Sequence, residues 1–596
     1  MATILADPVT RILRETFGFT SFRGVQEAVI ARVMAGEPTL VLMPTGAGKS
    51  LCYQIPALAR AGTAIIISPL IALMHDQIRS ARAAGIRAAS MTSADSDHAA
   101  TVSALRAGEL DLLYVAPERA NLPSFQSLLE ASEIALFAID EAHCVSEWGH
   151  DFRPDYRALR PLLDRFAHVP RLALTATADE ATRADILKQL GIPEEGLIKA
   201  GFDRPNIHYT ISARQNLARQ IGDVLEKEPG AGIVYAPSRR GVEDIAAKLA
   251  ATGRPVRFYH AGLPPEERAA AQAAFVASEE MVMVATIAFG MGIDKPDVRF
   301  VVHAGLPKSI EAYYQETGRA GRDGDPATAH LFWSATDFAK ARQRLGEVEE
   351  ERRAGERARL GALAALVECA ACRRAVLLRH FGDDPPGTCG NCDNCDDPPG
   401  VLDVTELARK FLSAVYRTGQ SFGLGHIEKV LTGSGEARVA QRGHDRLSVF
   451  GIVEGEDAAL IKPLARALSA HGMLETTEHG GLALGPAARD VLKGEAPVLI
   501  AEPPRRQPRD QNRRRAGDAA PNPVGDPLFD ALRARRKDLA SQQGVPAYVI
   551  FHDSVLRAIT TERPTTLEAL GTIPGVGAKK LENYGEAFVE VVRGFG

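Results

Sequence analysis

Along the first 200 positions, apolar residues gather in short runs of four or five, each closed by Gly, Pro or polar residues and followed by a stretch with helical spacing. Residues 40–43, 64–68, 112–115, 135–139 and 172–175 are the predicted strands. The runs are apolar throughout rather than alternating, which marks strands of a parallel sheet covered on both faces. The rhythm restarts after Phe202, with predicted strands at 233–235, 256–259, 281–285, 300–302 and 329–332. The pattern therefore predicts two similar α/β domains in tandem, 1–202 and 203–340, with a cleft between them. Ligands of such sheets bind at the carboxyl ends of the strands. Four further segments follow: a helical one at 341–400, a helix-rich one at 401–500, a Pro/Arg-rich linker at 501–525 and a last small helical one at 526–596.

Composition adds exclusions. The chain is 45% hydrophobic and 24% charged, ordinary for a soluble globular protein, and its formal net charge of −5 is not that of a global nucleic-acid binder. Asp7, Arg11, Arg14 and Glu15 break the N-terminal segment, so no secretory apolar core is present there, and no run reaches membrane-spanning length. A cytoplasmic location with no membrane partner is expected. Its seven cysteines are then not expected to form disulfides, and five of them crowd between Cys369 and Cys395.

Three motifs carry chemistry. Thr45-Gly46-Ala47-Gly48-Lys49-Ser50 follows the first strand. Its glycines let backbone N–H groups face phosphates at a helix N-terminus, Lys49 would reach the β/γ-phosphates, and Ser50 would ligate Mg²⁺. Asp140-Glu141-Ala142-His143 closes the strand at 135–139. There Asp140 can hold Mg²⁺ and Glu141 can polarise the attacking water. In the second domain, Gln315 to Arg322 is expected to continue a helix that begins near Ser309, which would put Arg319 and Arg322 on one face. Facing the cleft, they could neutralise charge on the γ-phosphate.

Cys372 precedes Cys389 by sixteen intervening residues, and Cys392 and Cys395 follow at two-residue spacings. Four thiolates suit tetrahedral structural Zn²⁺, and an iron–sulfur cluster is the alternative. Cys369 makes a competing pair with Cys372. The linker carries six arginines against Asp510 between 505 and 515, a net of +5, and is expected to be disordered.

These motifs, in this order, resemble the superfamily 2 helicases and, over essentially the whole chain, the RecQ family. Phe22-Arg23-Gly24-Val25-Gln26 resembles the family's adenine-reading motif, which implies an adenine-stacking role for Phe19, a hydrogen bond from Gln26, and cofactor contacts for Arg23 and Gln315. The segment from Asp140 to Tyr156 resembles the family's aromatic-rich loop, which implies DNA contacts for His143, Trp148, Phe152, Arg153 and Tyr156. Residues 175–177, 259–263 and 286–294 fit other helicase motifs. The zinc module matches at the four cysteines, and Gly443-His444-Asp445-Arg446-Leu447 resembles part of the winged-helix domain, with His444 as a DNA contact. The last segment resembles the HRDC domain, and Ile573-Pro574-Gly575-Val576-Gly577 resembles a turn whose amides hold a DNA phosphate. Nine basic and nine acidic residues in 526–596 leave that domain neutral, so a protein-facing role is equally open.

The resemblance implies two RecA-like motor domains followed by zinc-binding, winged-helix and all-α HRDC domains. It implies an ATP- and Mg²⁺-dependent 3′→5′ DNA helicase of recombination and repair, acting on single-stranded and duplex DNA. The same resemblance points to a monomer, associated with the nucleoid, with a single-stranded-DNA-binding protein as partner. An RNA helicase and a scaffold using ATP only as a switch are the other classes.

Overall fold

A computed structural model describes residues 8–69, 71–92, 98–146, 152–176, 178, 180–290, 295–477, 481–502 and 526–595. The first sheet has seven strands: β1 (Thr39–Leu42), β2 (Thr63–Ile67), β3 (Ala88–Met91), β4 (Leu112–Val115), β5 (Ile134–Ile139), β6 (Arg171–Thr175) and β7 (Leu197–Lys199). They run parallel in the order β3-β4-β2-β5-β6-β1-β7. Successive side chains leave a strand on opposite faces, so both faces must be covered. Leu40, Leu42, Ile65 and Ile67 enter one core, while Val41, Ala64 and Ile66 enter the other. That double burial is why the central strands read as unbroken apolar runs.

The second sheet holds β8 (Ile207–Ala213), β9 (Ala231–Tyr235), β10 (Val256–Tyr259), β11 (Val282–Ala285), β12 (Val298–His303) and β13 (Ala327–Trp333), parallel in the order β10-β11-β9-β12-β13-β8. The apolar pattern missed β3, β7 and β8, which all lie at sheet edges.

The segment between the sheets is braced by the cysteine-rich module. Phe202 stacks on Phe381 at 5.0 Å, its N–H donates to Asp383 at 2.8 Å, and its carbonyl accepts from the Tyr314 hydroxyl at 2.7 Å. Arg374 reaches Asp203 at 3.2 Å and the Ile207 carbonyl at 2.6 Å. The module thus shares one hydrophobic core with the motor domains.

Helices Thr405–Arg417, Leu424–Leu431, Ala437–Gln441, Glu456–Ala470 and Ala488–Lys493 pack around a separate core. A hairpin of β15 (Leu474–Thr476) and β16 (Leu482–Leu484) stands beside them, and β14 (Val401–Asp403) pairs antiparallel with β17 (Leu499–Ala501). The C-terminal segment is all helical, from Pro527–Gln543 to Ala578–Arg593, with a core of its own. The arginine-rich linker, 503–525, lies outside the described residues. Among the described residues, no helix is long and apolar enough to cross a membrane.

Candidate active site

The loop after β1 holds Gly46 at φ +84° and Gly48 at φ +79°, left-handed conformations that favour glycine. Helix Leu51–Ala59 starts immediately after Ser50. At Gly48 a Cβ would lie 2.6 Å from Gln26 Nε2. The Gln26 amide donates to the carbonyls of Ala47 and Gly48, both at 3.1 Å, and its oxygen accepts from Arg23 N at 2.9 Å. Gln26 is 2% exposed, and here it braces the phosphate loop rather than offering a free amide edge. Arg23 lies 5.6 Å over the Phe19 ring, and both line the same cavity. The Ser50 hydroxyl donates to Gln77 at 2.9 Å.

Asp140 follows β5, and Glu141 takes φ +49°, ψ 46°. A non-glycine residue in that region is strained, and such strain gathers at functional sites. The conformation sets the Glu141 carboxylate 3.3 Å from His143 Nδ1, which also lies 2.9 Å from the Thr175 hydroxyl. A chain of contacts therefore leads from the acid pair to the end of β6.

The arginines are positioned differently from the sequence expectation. Helix Ile310–Thr317 starts at the N-cap Ser309 and stops at Thr317, so Arg319 and Arg322 sit in the turns that follow and share no helical face. The reason is Gly318 at the helix end and Gly321 at φ +56°. Arg204, which the sequence reading missed, satisfies the carbonyls this turn exposes. Its guanidinium donates to Gly318, Ala320 and Gly321 at 2.9–3.0 Å and to Thr45 of the phosphate loop at 2.7 Å. A Cβ on Gly46 would lie 3.4 Å from Arg322. Lys49, Asp140, Glu141, Gln315, Arg319 and Arg322 all line one cavity of about 700 Å³ between the two sheets, a size suited to a small-molecule ligand.

The aromatic loop is rearranged too. Tyr156 is wholly buried and its hydroxyl donates to the Asp140 carbonyl at 2.9 Å, and His143 is 3% exposed. Both brace the acid pair, Tyr156 from the interior and His143 from the wall of the same cavity. Phe152 and Arg153 are half-buried, Arg153 donates to the Pro69 carbonyl at 3.1 Å, and Arg157 lies 6.0 Å over the Phe152 ring. Trp148 lies outside the described residues.

Comparison with known proteins decides the family. Family models match a DEAD/DEAH box helicase at 23–186, a helicase conserved C-terminal domain at 213–324, a RecQ zinc-binding domain at 335–396, an RQC domain at 398–509 and an HRDC domain at 526–592. The chain is 41% identical to the ATP-dependent DNA helicase RecQ of Pasteurella multocida over 98% of its own length and 93% of that protein's. It is 41% identical to the protein of that name from Haemophilus influenzae (98% and 95%) and 37% to that of Bacillus subtilis (98% and 98%). The chain belongs to the RecQ family.

The RecQ zinc-binding domain holds its four cysteines together. The sulfurs of Cys372, Cys389, Cys392 and Cys395 all lie within 4.8 Å of one another, two pairs at 3.9 and 4.0 Å. A tetrahedron with Zn–S near 2.3 Å spaces its sulfurs about 3.8 Å apart, so the set fits Zn²⁺. Cys369 stays out, with its thiol directed to the Leu366 and Ala371 carbonyls. Asp393, inside the knuckle, accepts from Arg373 at 3.1 Å and from Ile211 N at 2.8 Å, which ties the zinc site to β8.

In the RQC domain, His444 lies on a short 3₁₀ turn with its Nδ1 2.8 Å from His426 Nε2. Phe422 stacks on His426 at 4.3 Å, and Arg442 lies 5.9 Å over Phe422. Burial first, then neighbouring cations, hold both imidazoles below their usual range, so the pair is neutral near pH 7. In the HRDC domain, the Gly575 amide donates to Gly18 of the first motor domain at 2.9 Å.

Proposed function

We propose that this RecQ-family chain is an ATP-dependent DNA helicase, and that it hydrolyses ATP in the cavity between its two motor sheets to move 3′→5′ along single-stranded DNA and separate the duplex. The carrying observation is that one cavity gathers a phosphate loop and an acid pair from the first sheet and two arginines from the second. Neither domain has a complete set alone, so hydrolysis requires their juxtaposition and is coupled to their movement.

Lys49 and the loop amides would hold the β- and γ-phosphates, and Phe19 with Arg23 would pack the base. Ser50 and Asp140 would hold Mg²⁺, whose charge offsets that of the phosphates. Glu141, held by His143, orients and deprotonates the attacking water. Arg322, with Arg319, neutralises the charge that develops on the transferred phosphoryl group. Phe152 and Arg153, which follow the acid pair along the chain, together with Trp148, are assigned to single-stranded DNA, and His444 to duplex DNA. Action as a monomer in the cytoplasm and nucleoid, beside a single-stranded-DNA-binding protein, completes the proposal.

The test is steady-state ATPase without nucleic acid, with single-stranded DNA and with single-stranded RNA, beside unwinding of duplexes bearing a 3′ or a 5′ tail. DNA stimulation with unwinding of the 3′-tailed duplex is expected. Stimulation by RNA alone, or unwinding only from a 5′ tail, overturns it.

A further inference from the structure

Two imidazoles of the RQC domain share one hydrogen bond. His426, near the start of helix Leu424–Leu431, sets its Nε2 2.8 Å from Nδ1 of His444. Gly443, at φ +71°, turns the chain into the short 3₁₀ segment that carries His444. Phe422 stacks on His426 at 4.3 Å and meets His444 edge-on at 4.8 Å, so ring packing holds both in register.

At 2.8 Å only one hydrogen fits between the two nitrogens. The neutral pair carries two hydrogens on four ring nitrogens, one of them between the rings, and so offers one outward donor. A third proton leaves the shared hydrogen bond intact, makes the pair a monocation and turns both outward nitrogens into donors. A fourth would set two N–H groups against each other and break the contact. The pair is built to take one proton, and it titrates as a unit.

The surroundings decide when it does so. Burial is the first cause that holds both imidazoles below 6.5; His444, Arg438 and Lys429 then act on His426, and Arg442 on His444, while Glu436 and Asp445 pull the other way. Glu436 is engaged by Lys429 at 2.6 Å, and Lys462, on the packed helix Glu456–Ala470, is engaged by Glu428 at 3.5 Å. Arg438, Arg442 and Arg446 are exposed, which gives the segment around His444 a basic character suited to a phosphate backbone. A phosphate drawn there sets negative charge beside the pair, and an adjacent anion favours the charged ring. A cationic His426 stacked on Phe422 gains further from the ring face.

We propose that the RQC domain takes up one proton together with duplex DNA, and that the His426–His444 pair holds it. The proton comes from solvent, and no covalent bond to the DNA forms. By linkage, a group whose pKa is higher in the complex than in the free chain binds its ligand more tightly as pH falls from the complex's value to the free one, and the gain is level below that. The proposal rests on the reading of His444 as a duplex contact.

The experiment uses the full-length chain without nucleotide and a blunt hairpin duplex, at constant ionic strength because phosphate contacts are salt-dependent. Affinity is measured by fluorescence anisotropy from pH 5.5 to 8.5, and proton uptake by calorimetry in two buffers of different ionisation enthalpy. The variants are His444→Ala and the double His426→Gln/His444→Gln, in which one amide can still donate to the other without titrating. The parent should bind about fivefold or more tightly at pH 6 than at pH 8.5, with uptake approaching one proton per duplex, and the double variant should lose most of both. No uptake in the parent, or the same uptake in the double variant, overturns the proposal. His444→Ala at pH 8.5, where the pair is neutral, provides the separate check. Affinity equal to the parent's there means that His444 is no duplex contact, and the proposal falls with that reading. Weaker binding there, in a parent that takes up no proton at pH 6, leaves the contact standing and overturns the proton step alone.

Discussion

Arg204 donates to the Thr45 carbonyl at 2.7 Å, joining the segment that links the two sheets to the start of the phosphate loop. The same guanidinium fills three carbonyls of the turn that carries Arg319 and Arg322. One side chain therefore fixes the two halves of the site relative to each other.

Arg204→Ala is expected to lower ATPase kcat by about one to two orders of magnitude, because it orphans buried carbonyls at about 1–3 kcal/mol each and loosens the arginine turn. Arg204→Lys should rescue little, since a single ammonium cannot reproduce a planar fork serving four acceptors. Steady-state kinetics with thermal unfolding separates the two effects: a drop in kcat with nucleotide affinity retained is the expected signature. Full activity in both variants would remove Arg204 from the site.

Glu141→Gln should bind ATP and DNA but hydrolyse about 10²–10⁴-fold more slowly, the range for loss of a positioned general base. Single-turnover hydrolysis beside equilibrium nucleotide binding checks it. If turnover survives, the water is activated elsewhere, and the left-handed backbone at Glu141 has another cause.

Much of this site was readable because its chemistry is contiguous in the chain. A phosphate loop, an acid pair and a cysteine knuckle each announce themselves within eight residues, and the central strands do so through double burial. Arg204 gave no such signal: it is one arginine in Asp203-Arg204-Pro205, and its partners lie 114–159 residues away. The helix carrying Gln315 looked continuous to Arg322, yet glycines at 318 and 321 stop it. Tyr156 and His143 stand among polar residues, a setting that implies surface, but their hydrogen bonds to Asp140 and Thr175 draw them inside. The seating of the C-terminal domain depends on Gly18 lying against the backbone of Val576 and Gly577, and on Gly577 lying against that of Thr16, which no composition reveals.

Removal of zinc should be felt in the motor. Cys392→Ala breaks a closed four-sulfur set whose binding energy is folding energy. Through Asp393 and Arg374 the loss reaches β8 and the inter-sheet segment. Zinc content should fall from one ion per chain to near zero, and the ATPase should decline with it. Cys369→Ser should keep one zinc and change stability by no more than about 0.5 kcal/mol. Zinc kept in Cys392→Ala and lost in Cys369→Ser would exchange the roles of Cys369 and Cys392.

Glu368 ends the helix Glu350–Glu368 of the zinc module, where burial lifts its carboxyl to about 7 while Arg466 and Arg373 pull it back in part. Its ordinary value is 4.5, so the folded chain holds a proton there that the unfolded chain releases between about pH 4.5 and 7. Stability contributed by this residue therefore declines as pH rises through that window and is level above it. Glu368→Gln keeps the shape and removes the titration. It should be more stable than the parent by about 1–3 kcal/mol at pH 8, a range that allows for partial exposure, and no more stable at pH 4. Thermal unfolding of both proteins across that range is the measurement. An equal gain at both ends would mean that packing rather than protonation distinguishes the variant. A loss at pH 8 would mean that the attraction of Arg466 and Arg373 outweighs the cost of burial.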